Sequence, residues 1–323
     1  MKKLGIITTM LVMVFVLGAC GGSGNYDYTI GVLQSIDHGS LDAARDGFVT
    51  GMADFGFVQD ENTRFNFYNA QGDVANAQTM AQRIADSNPD LILGIATSTS
   101  QALANATDTI PIVVTAVTSP LSAGLIEAYE RPNTNVTGTS DMAPVARQFE
   151  LLHQLLPDAA VVGIVWNSSE INSVIQAEMA MDEARALGLS YVVTTVTGTA
   201  EVAQALESII ERIDVLYTPA DNTIAASLPT VVRIADEFDV PIIGANRNHV
   251  NHGALATIGI DYYLLGRQAA AMAVQILRGE DVPQNMPIQW QEENFLAINI
   301  DAAARLGVEI PQALLNEAVI VEE

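Results

Sequence analysis

Residues 91–115 read LILGIATSTSQALANATDTIPIVVT, and this stretch decides the fold class. Leu91–Ile95 is a short apolar run with the length of a buried strand, and Pro111–Thr115 is a second one. The pattern between them predicts a helix over Thr99–Thr107. Two neighbouring strands joined through a helix are parallel, because the helix returns the chain to the end of the sheet at which the first strand began. The stretch therefore predicts one strand–helix–strand unit of a parallel α/β sheet.

The same alternation of strand and helix continues in both directions along the chain. The other predicted strands are Tyr28–Leu33, Arg64–Tyr68, Val161–Trp166, Tyr191–Thr195, Asp214–Tyr217, Val240–Ile243, Ala254–Ile258 and Phe295–Ile300. The other predicted helices are Leu41–Phe55, Val74–Ser87, Val145–Leu156, Ile171–Leu187, Ala200–Arg212, Ile224–Phe238 and Tyr262–Leu277. The pattern restarts near Thr139–Ala143, which predicts an α/β protein of two doubly wound parallel-sheet lobes joined by a hinge. We assign residues 27–140 and 262–285 to lobe 1, and residues 141–261 and 286–323 to lobe 2.

The amino-terminal residues have the features of a secretory signal. Lys2 and Lys3 precede the apolar stretch Leu4–Leu17, which is shorter than the roughly 20 residues that a membrane-spanning helix needs. The sequence Leu17-Gly-Ala-Cys20 resembles a bacterial lipobox, which implies cleavage before Cys20 and lipidation of that residue. We therefore predict a lipoprotein signal over residues 1–19, a flexible tether over residues 20–26 and an extracytoplasmic protein anchored to the membrane through Cys20. An ordinary signal with a cysteine at this position is the alternative.

Charge and cysteine content exclude several classes of function. The chain has 14 Lys plus Arg against 38 Asp plus Glu, a net charge of -24, and both lysines lie in the predicted signal. The mature chain thus lacks the lysine that a Walker motif, a Schiff base or a biotin carrier needs. Its acidity opposes nucleic-acid binding, which depends on cationic contacts to phosphate. With one cysteine there is no internal disulfide, so the fold depends on its apolar core.

Polar residues follow the carboxyl ends of the predicted strands, where parallel α/β sheets bind their ligands. Hydroxyl and amide groups dominate these loops, which favours binding over catalysis. The candidate ligand-binding residues are Ser35, His38, Thr97, Ser98, Thr99, Thr118, Ser119, Asn167, Ser169, Asn172, Asp221, Asn222, Asn246 and Asp261. The start of the helix at Thr97–Ser100 suits a carboxylate, and Asp221 suits an ammonium. The alternative is that these residues are only helix N-caps.

No pattern in the sequence indicates an enzyme or a cofactor. The chain has no Gly-x-Ser-x-Gly elbow and no glycine-rich phosphate loop, so we predict no catalytic residue and no cofactor. His249 and His252 lie close together, but no other His or Cys is near them in sequence, so we predict no metal site. A regulator of the sugar-repressor type would begin with a basic helix-turn-helix, where this chain has the predicted signal.

Four segments resemble one family of ABC-transporter substrate-binding proteins, whose members include lipoproteins that bind tryptophan and other aromatic amino acids. These segments are Gly31–Phe48, Thr97–Ala102, Thr218–Thr223 and Gly259–Ala269, in the family's order. The resemblance implies a type I periplasmic-binding fold with three crossovers between the lobes and hinge closure on the ligand. It also implies a monomer, an ABC permease as membrane partner, and a small ligand, with an aromatic or other hydrophobic amino acid as the leading candidate.

Two loops depart from the pattern of that family. The family usually has Glu-His-Pro-Ala-Leu-Asp where this chain has Asp37-His-Gly-Ser-Leu-Asp42, and Asp-Pro where this chain has Ser119-Pro120. Both loops should face the cleft, so a different small solute is a second candidate for the ligand. A binding protein that reports to a membrane sensor is a second candidate for the role.

Overall fold

The computed structural model describes residues 26–291 and 293–322. The predicted signal, Cys20 and tether residues 20–25 lie outside the described residues. The strands are β1 Tyr28–Gln34, β2 Thr63–Asn69, β3 Leu91–Ile95, β4 Ile112–Val117, β5 Val136–Ser140, β6 Val161–Asn167, β7 Ser190–Val196, β8 Val215–Thr218, β9 Ile242–Gly244, β10 Ala256–Gly259, β11 Phe295–Asn299 and β12 Val319–Val321. The α-helices are α1 Gly39–Asp54, α2 Val74–Asp86, α3 Thr97–Ala106, α4 Val145–Leu155, α5 Ile171–Ala186, α6 Val202–Glu207, α7 Asn222–Ala226, α8 Leu228–Glu237, α9 Arg247–Asn251, α10 Tyr262–Leu277, α11 Ile300–Leu306 and α12 Gln312–Glu317.

The stretch at residues 91–115 lies in the middle of the first sheet. This sheet has five parallel strands in the order β2-β1-β3-β4-β5. Successive side chains of a strand point to opposite faces, and in β3 Leu91 and Leu93 pack into one apolar cluster while Ile92 packs into another. Both faces of the sheet are therefore covered, as its continuous apolar strands predict.

The second sheet has seven strands in the order β12-β11-β10-β9-β8-β6-β7. All neighbouring pairs are parallel except β10 and β11, which are antiparallel. The prediction of two α/β lobes built on parallel sheets is confirmed, and β10 with β11 is the one antiparallel pair among the described strands. The chain leaves the second sheet at the carboxyl end of β10 and returns from the first lobe to that same end of the sheet. Strand β11 therefore runs in the opposite direction to β10.

The chain passes between the two sheets three times, as the resemblance implied. It crosses from β5 to α4, from β10 to α10, and from the 3-10 turn Pro283–Asn285 to β11. Residues just after that turn still belong with the first sheet, since Thr137 donates its hydroxyl to the carbonyl of Met286 and Gln289 bridges to Thr139. Met286 and Gln289 therefore contact the first sheet, beyond the predicted boundary between residues 285 and 286.

Helices α1 and α10 pack closely on the first sheet although they are far apart in sequence. A Cβ atom on Gly266 would lie 1.9 Å from the carbonyl oxygen of Ala44, and one on Gly47 would lie 2.0 Å from that of Tyr263. Glycine is therefore required at both contacts, since a side chain would separate the helices. The packing joins the crossover helix α10 to the lobe that contains β1.

Candidate functional site

The lobes face each other across a narrow cavity in the cleft. Loops that follow the carboxyl ends of strands supply most of its wall, as expected for parallel α/β sheets. The wall consists of His38, Leu41, Ala116, Thr118, Asp141, Asn172, Ala220, Asp221, Asn222, Ala225, Asn246, His249 and Tyr262. Both lobes and two of the crossovers contribute, so the cavity exists in this form only while the lobes are together.

Direct hydrogen bonds join the two lobes across the cleft. The hydroxyl of Ser40 donates to Oδ1 of Asn246 at 3.1 Å, and the amide of Gln176 donates to the hydroxyl of Thr118 at 3.4 Å. Nε2 of His38 lies 3.3 Å from Oδ1 of Asn222. These bonds connect the start of α1 and the loops after β1 and β4 with residues of the second lobe, which is a closed arrangement.

Two buried carboxylates face the cavity, and no Lys or Arg lines it among the described residues. Burial raises the pKa of Asp141 and of Asp221. Burial also lowers the pKa of His38 to about 4 and that of His249 to about 3, so both imidazoles are neutral at physiological pH. The wall is thus rich in hydrogen-bond acceptors and favours a ligand that brings positive charge.

Asp221 was predicted from the sequence, and its carboxylate is held by backbone amides. It caps helix α7 by accepting from the amide of Ile224 at 2.8 Å, and it accepts from the amide of Asn167 at 2.5 Å. Helix capping and ligand binding are therefore compatible here, because the capped carboxylate also lines the cavity.

Asp141 was not among the candidates. It lies at the first crossover, where its carboxylate accepts from the hydroxyl of Thr118 at 3.0 Å and from that of Tyr262 at 2.7 Å. Tyr262 begins α10 at the second crossover, so this pair links two of the three connections between the lobes. Nothing in the sequence near Asp141 distinguishes it from an exposed acid.

Glu170 was also missed, although the sequence analysis considered its loop. Burial, together with the charge of Asp221, raises the pKa of Glu170 to about 7. Its carboxylate accepts from Nδ2 of Asn222 at 2.7 Å and from the hydroxyl of Thr223 at 3.1 Å. It lines a second cavity at the cleft, together with the predicted residues Ser35, Ser98, Asn167, Ser169 and Asn222.

Four predicted residues line neither cavity. The hydroxyl of Thr99 donates to the carbonyl of Ile95 within its own helix turn, and Ser119 bonds to Ser122 and Tyr129 in a local turn. Asp261 caps α10 and lines a separate cavity at the hinge, where Asn246 also lies. Thr97 is buried at the start of α3, and its hydroxyl has no partner among the described residues. The remaining ten candidates are brought together around the two cleft cavities.

The backbone is strained at the ends of two adjacent strands in the first lobe. Ala96 after β3 has φ 78°, and Ala116 near the end of β4 has φ 55°. Left-handed conformations are uncommon for residues with a side chain and concentrate at functional sites. Ala116 lines the central cavity, and Ala96 precedes helix α3, so both positions are at the cleft.

A more open depression lies at the opposite end of the second lobe, beside Pro157, Asp214 and Pro311. Asp214 there accepts from the amides of Ala160 and Val161, both at 2.8 Å, so its carboxylate holds the start of β6. No group of three His, Cys, Asp or Glu in the described part of the chain could hold a metal ion. Within the same residues, no helix is both long enough and apolar enough to cross a membrane.

Comparison with known proteins agrees with this geometry. A protein of Clostridioides difficile (strain R20291) named tyrosine-binding protein is 39% identical over 280 residues, which cover 87% of this chain and 81% of that protein. A crystal structure described as an ABC domain in complex with L-Trp, from Streptococcus pneumonia, is 35% identical. It covers 91% of this chain and 99% of the other, with a TM-score of 0.88.

A second solved structure shows which arrangement the lobes adopt. It is described as the ligand-free, open structure of a substrate binding protein with adhesive properties from Clostridium difficile, and it is 39% identical, covering 91% of this chain and 99% of the other. Its TM-score is 0.70, below the 0.88 of the L-Trp complex, although its sequence is the more similar of the two. The lobes of this chain are therefore arranged as in the complex.

Residues 29–322 match the family described as ABC transporter substrate binding protein, which covers both lobes. Members of this family bind solutes outside the cytoplasm for ABC transporters and are not enzymes. The predicted family, fold class and lack of enzymatic activity are confirmed by these comparisons. The chain belongs to the ABC transporter substrate binding protein family.

Proposed function

We propose that this protein is the solute-binding lipoprotein of an ABC importer and that its ligand is an amino acid with an aromatic side chain. The observation that carries the proposal is the closed central cavity, which presents two buried carboxylates and, among the described residues, no Lys or Arg. Such a wall favours an ammonium group over an anion. Relatives named for tyrosine and solved with L-Trp support the aromatic side chain.

The ammonium group of the ligand would lie between Asp141 and Asp221. Oδ1 of Asn172 offers a further acceptor, since it is buried and has no partner among the described residues. The ligand's carboxylate would lie toward the start of α3, where the amide groups of the first turn are donors and Ser98 lines the second cavity. Leu41 and Tyr262 are the largest apolar surfaces of the wall and would contact the side chain.

Binding would act through hinge closure. A ligand that contacts both lobes stabilises the closed arrangement alone, so it shifts the population toward that state. The permease then recognises the closed lobes as a single surface. We propose that the division into lobes holds with residues 286–290 moved to lobe 1, and that the protein acts as a monomer tethered through Cys20.

A ligand-binding sensor that reports to a membrane receptor remains the second candidate role. The same closure would serve a permease or a receptor, so the two roles differ only in the membrane partner. Co-purification from native membranes distinguishes them, because a permease brings an ATPase subunit and a receptor does not.

A thermal-shift screen of the purified protein against all amino acids and a panel of sugars and polyols tests the ligand class. A ligand that binds only the folded protein raises its melting temperature by an amount that grows with concentration. The proposal predicts shifts with L-tyrosine or L-tryptophan that exceed those of every sugar. Shifts with a sugar or polyol alone would retain the binding role and refute the amino acid.

A further inference from the structure

His38 meets the second lobe through a chain of hydrogen bonds that crosses the cleft. It lies on the loop after β1, and its Nε2 is 3.3 Å from Oδ1 of Asn222 at the start of α7. Nδ2 of Asn222 donates in turn to the carboxylate of Glu170 at 2.7 Å. The order Glu170–Asn222–His38 therefore runs from the second lobe to the first.

This chain determines which nitrogen of His38 carries the proton. A carboxylate can only accept, so the amide nitrogen of Asn222 must face Glu170 and its oxygen must face His38. An oxygen acceptor requires that Nε2 of His38 bears the hydrogen, and in a neutral imidazole Nδ1 is then an acceptor. Burial lowers the pKa of His38 to about 4, so the ring stays neutral above that pH.

The acceptor at Nδ1 has no partner within the described part of the chain. The atom is buried, and His38 lines the central cavity. A buried acceptor without a donor is unfavourable, so the closed arrangement is complete only when a ligand supplies one. The ligand's ammonium has stronger partners in Asp141 and Asp221, which leaves a neutral donor for the imidazole.

We propose that His38 is a specificity-determining residue, whose Nδ1 accepts a hydrogen bond from the O–H or N–H of a phenol or indole side chain. Glu170 and Asn222 are positioning residues that hold the required tautomer after closure. The inference rests on the proposed function, since it assumes an aromatic amino acid in the cavity. It predicts that the site separates tyrosine and tryptophan from phenylalanine, which has an aromatic ring and no donor.

Calorimetric titration with L-tyrosine, L-tryptophan and L-phenylalanine at pH 8 tests the proposal in wild type and in two variants. At this pH Glu170, whose pKa is about 7, is mostly ionised. The wild type should prefer tyrosine or tryptophan over phenylalanine by about ten- to a hundredfold. His38→Phe should lose that preference while its affinity for phenylalanine changes less than threefold. His252→Phe, at an exposed position, should keep the preference.

A spectroscopic readout separates this role from a merely structural one. In protein labelled with 15N-histidine and saturated with the preferred ligand, His38 should show an unprotonated Nδ1 and a protonated Nε2. Asn222→Leu should remove that fixed tautomer and reduce the preference. A protonated Nδ1 in the complex, or an unchanged preference in His38→Phe, overturns the inference alone. If the wild type binds none of the three amino acids, the proposed function fails and this inference fails with it.

Discussion

Asp221 combines two tasks in one side chain, because it caps α7 and faces the cavity. Asp221→Asn keeps an oxygen for the cap, since Asn is as good an N-cap as Asp, but removes the charge that an ammonium needs. We expect the affinity for the amino acid to fall by at least about thirtyfold, because truncating a buried charge pair costs about 2–5 kcal/mol. The amide of Asn has a single acceptor oxygen, so the bond from the amide of Asn167 is lost and the free energy of unfolding should fall as well.

Asp214→Asn is the matched control for Asp221→Asn. Asp214 also accepts from two backbone amides, yet it lies at the opposite end of the second lobe. Its variant should bind the ligand as the wild type does. Equal affinities of Asp221→Asn and Asp214→Asn would show that Asp221 has no partner on the ligand.

His249 is fully buried in the second lobe and should make folding sensitive to acid. Burial lowers its pKa to about 3, whereas an unfolded histidine binds a proton below about pH 6.5. As the pH falls below 6.5 the unfolded chain gains that proton and the folded protein does not, so stability is lost toward low pH. In His249→Gln this loss is absent.

The difference in free energy of unfolding between wild type and His249→Gln isolates this group, because other titrating residues contribute equally to both proteins. Between pH 7 and pH 5 the wild type should lose about 2 kcal/mol more than the variant. Urea unfolding at the two pH values measures this. A difference that is the same at both values would contradict the buried neutral state of His249.

Single residues of the site were partly predictable from the sequence. The rule that ligands lie beyond strand ends found Asp221, Asn172 and Asn246, because the rule depends only on where strands end. It missed Asp141 and Glu170, since their importance comes from burial between lobes that are separate in sequence. The pattern of the chain contains no signal for that burial.

At the scale of elements, the contact between α1 and α10 permits no added side chain. Gly266→Ala would place a Cβ atom 1.9 Å from the carbonyl oxygen of Ala44, so the helices must separate. We expect a loss of at least about 2 kcal/mol in the free energy of unfolding, measured by chemical denaturation. Gly198→Ala is the control, because its Cβ meets nothing within 4 Å and its φ is not positive. Equal stabilities of the two variants would contradict the packing described here.

Long periodic elements were predicted well, and short or interrupted ones were not. The bounds of α10 and of β3 agree with the prediction, because both have strong apolar patterns. The helix predicted over Ala200–Arg212 is broken into α6 and flanking 3-10 turns, and the one over Ile224–Phe238 is interrupted before Leu228. Pro229 explains the second break, since proline is tolerated only in the first turn of a helix.

Several short elements, and the direction of β11, were not predicted because they depend on the three-dimensional topology of the chain. Strand β5 was read as the junction between blocks, because its residues Val136–Ser140 are mostly small and polar. Helices α9, α11 and α12 were missed because each has seven residues or fewer. The reversal of β11 follows from the third crossover, which no local pattern predicts.

At the scale of the whole molecule, three crossovers join two lobes, and the wall of the central cavity is complete only when the lobes are closed. The higher TM-score against the L-Trp complex than against the open relative agrees with the bonds that Ser40 and Gln176 make across the cleft. The periodicity of the sequence predicts the two α/β lobes, but it does not predict how closely one lobe lies against the other. Under the proposed function, a ligand that contacts both lobes stabilises this closed arrangement.

Calorimetric titration of the purified protein with L-tyrosine, beside tyramine and 3-(4-hydroxyphenyl)propanoate, tests the central claim most directly. Tyramine lacks the carboxylate and the propanoate lacks the ammonium. The three compounds therefore share the phenol side chain and differ in which charged groups they carry. We expect L-tyrosine to bind most tightly and the propanoate to bind most weakly, because the propanoate brings a negative charge to Asp141 and Asp221 without an ammonium. Binding of the propanoate as tight as that of L-tyrosine would contradict an ammonium between those two carboxylates.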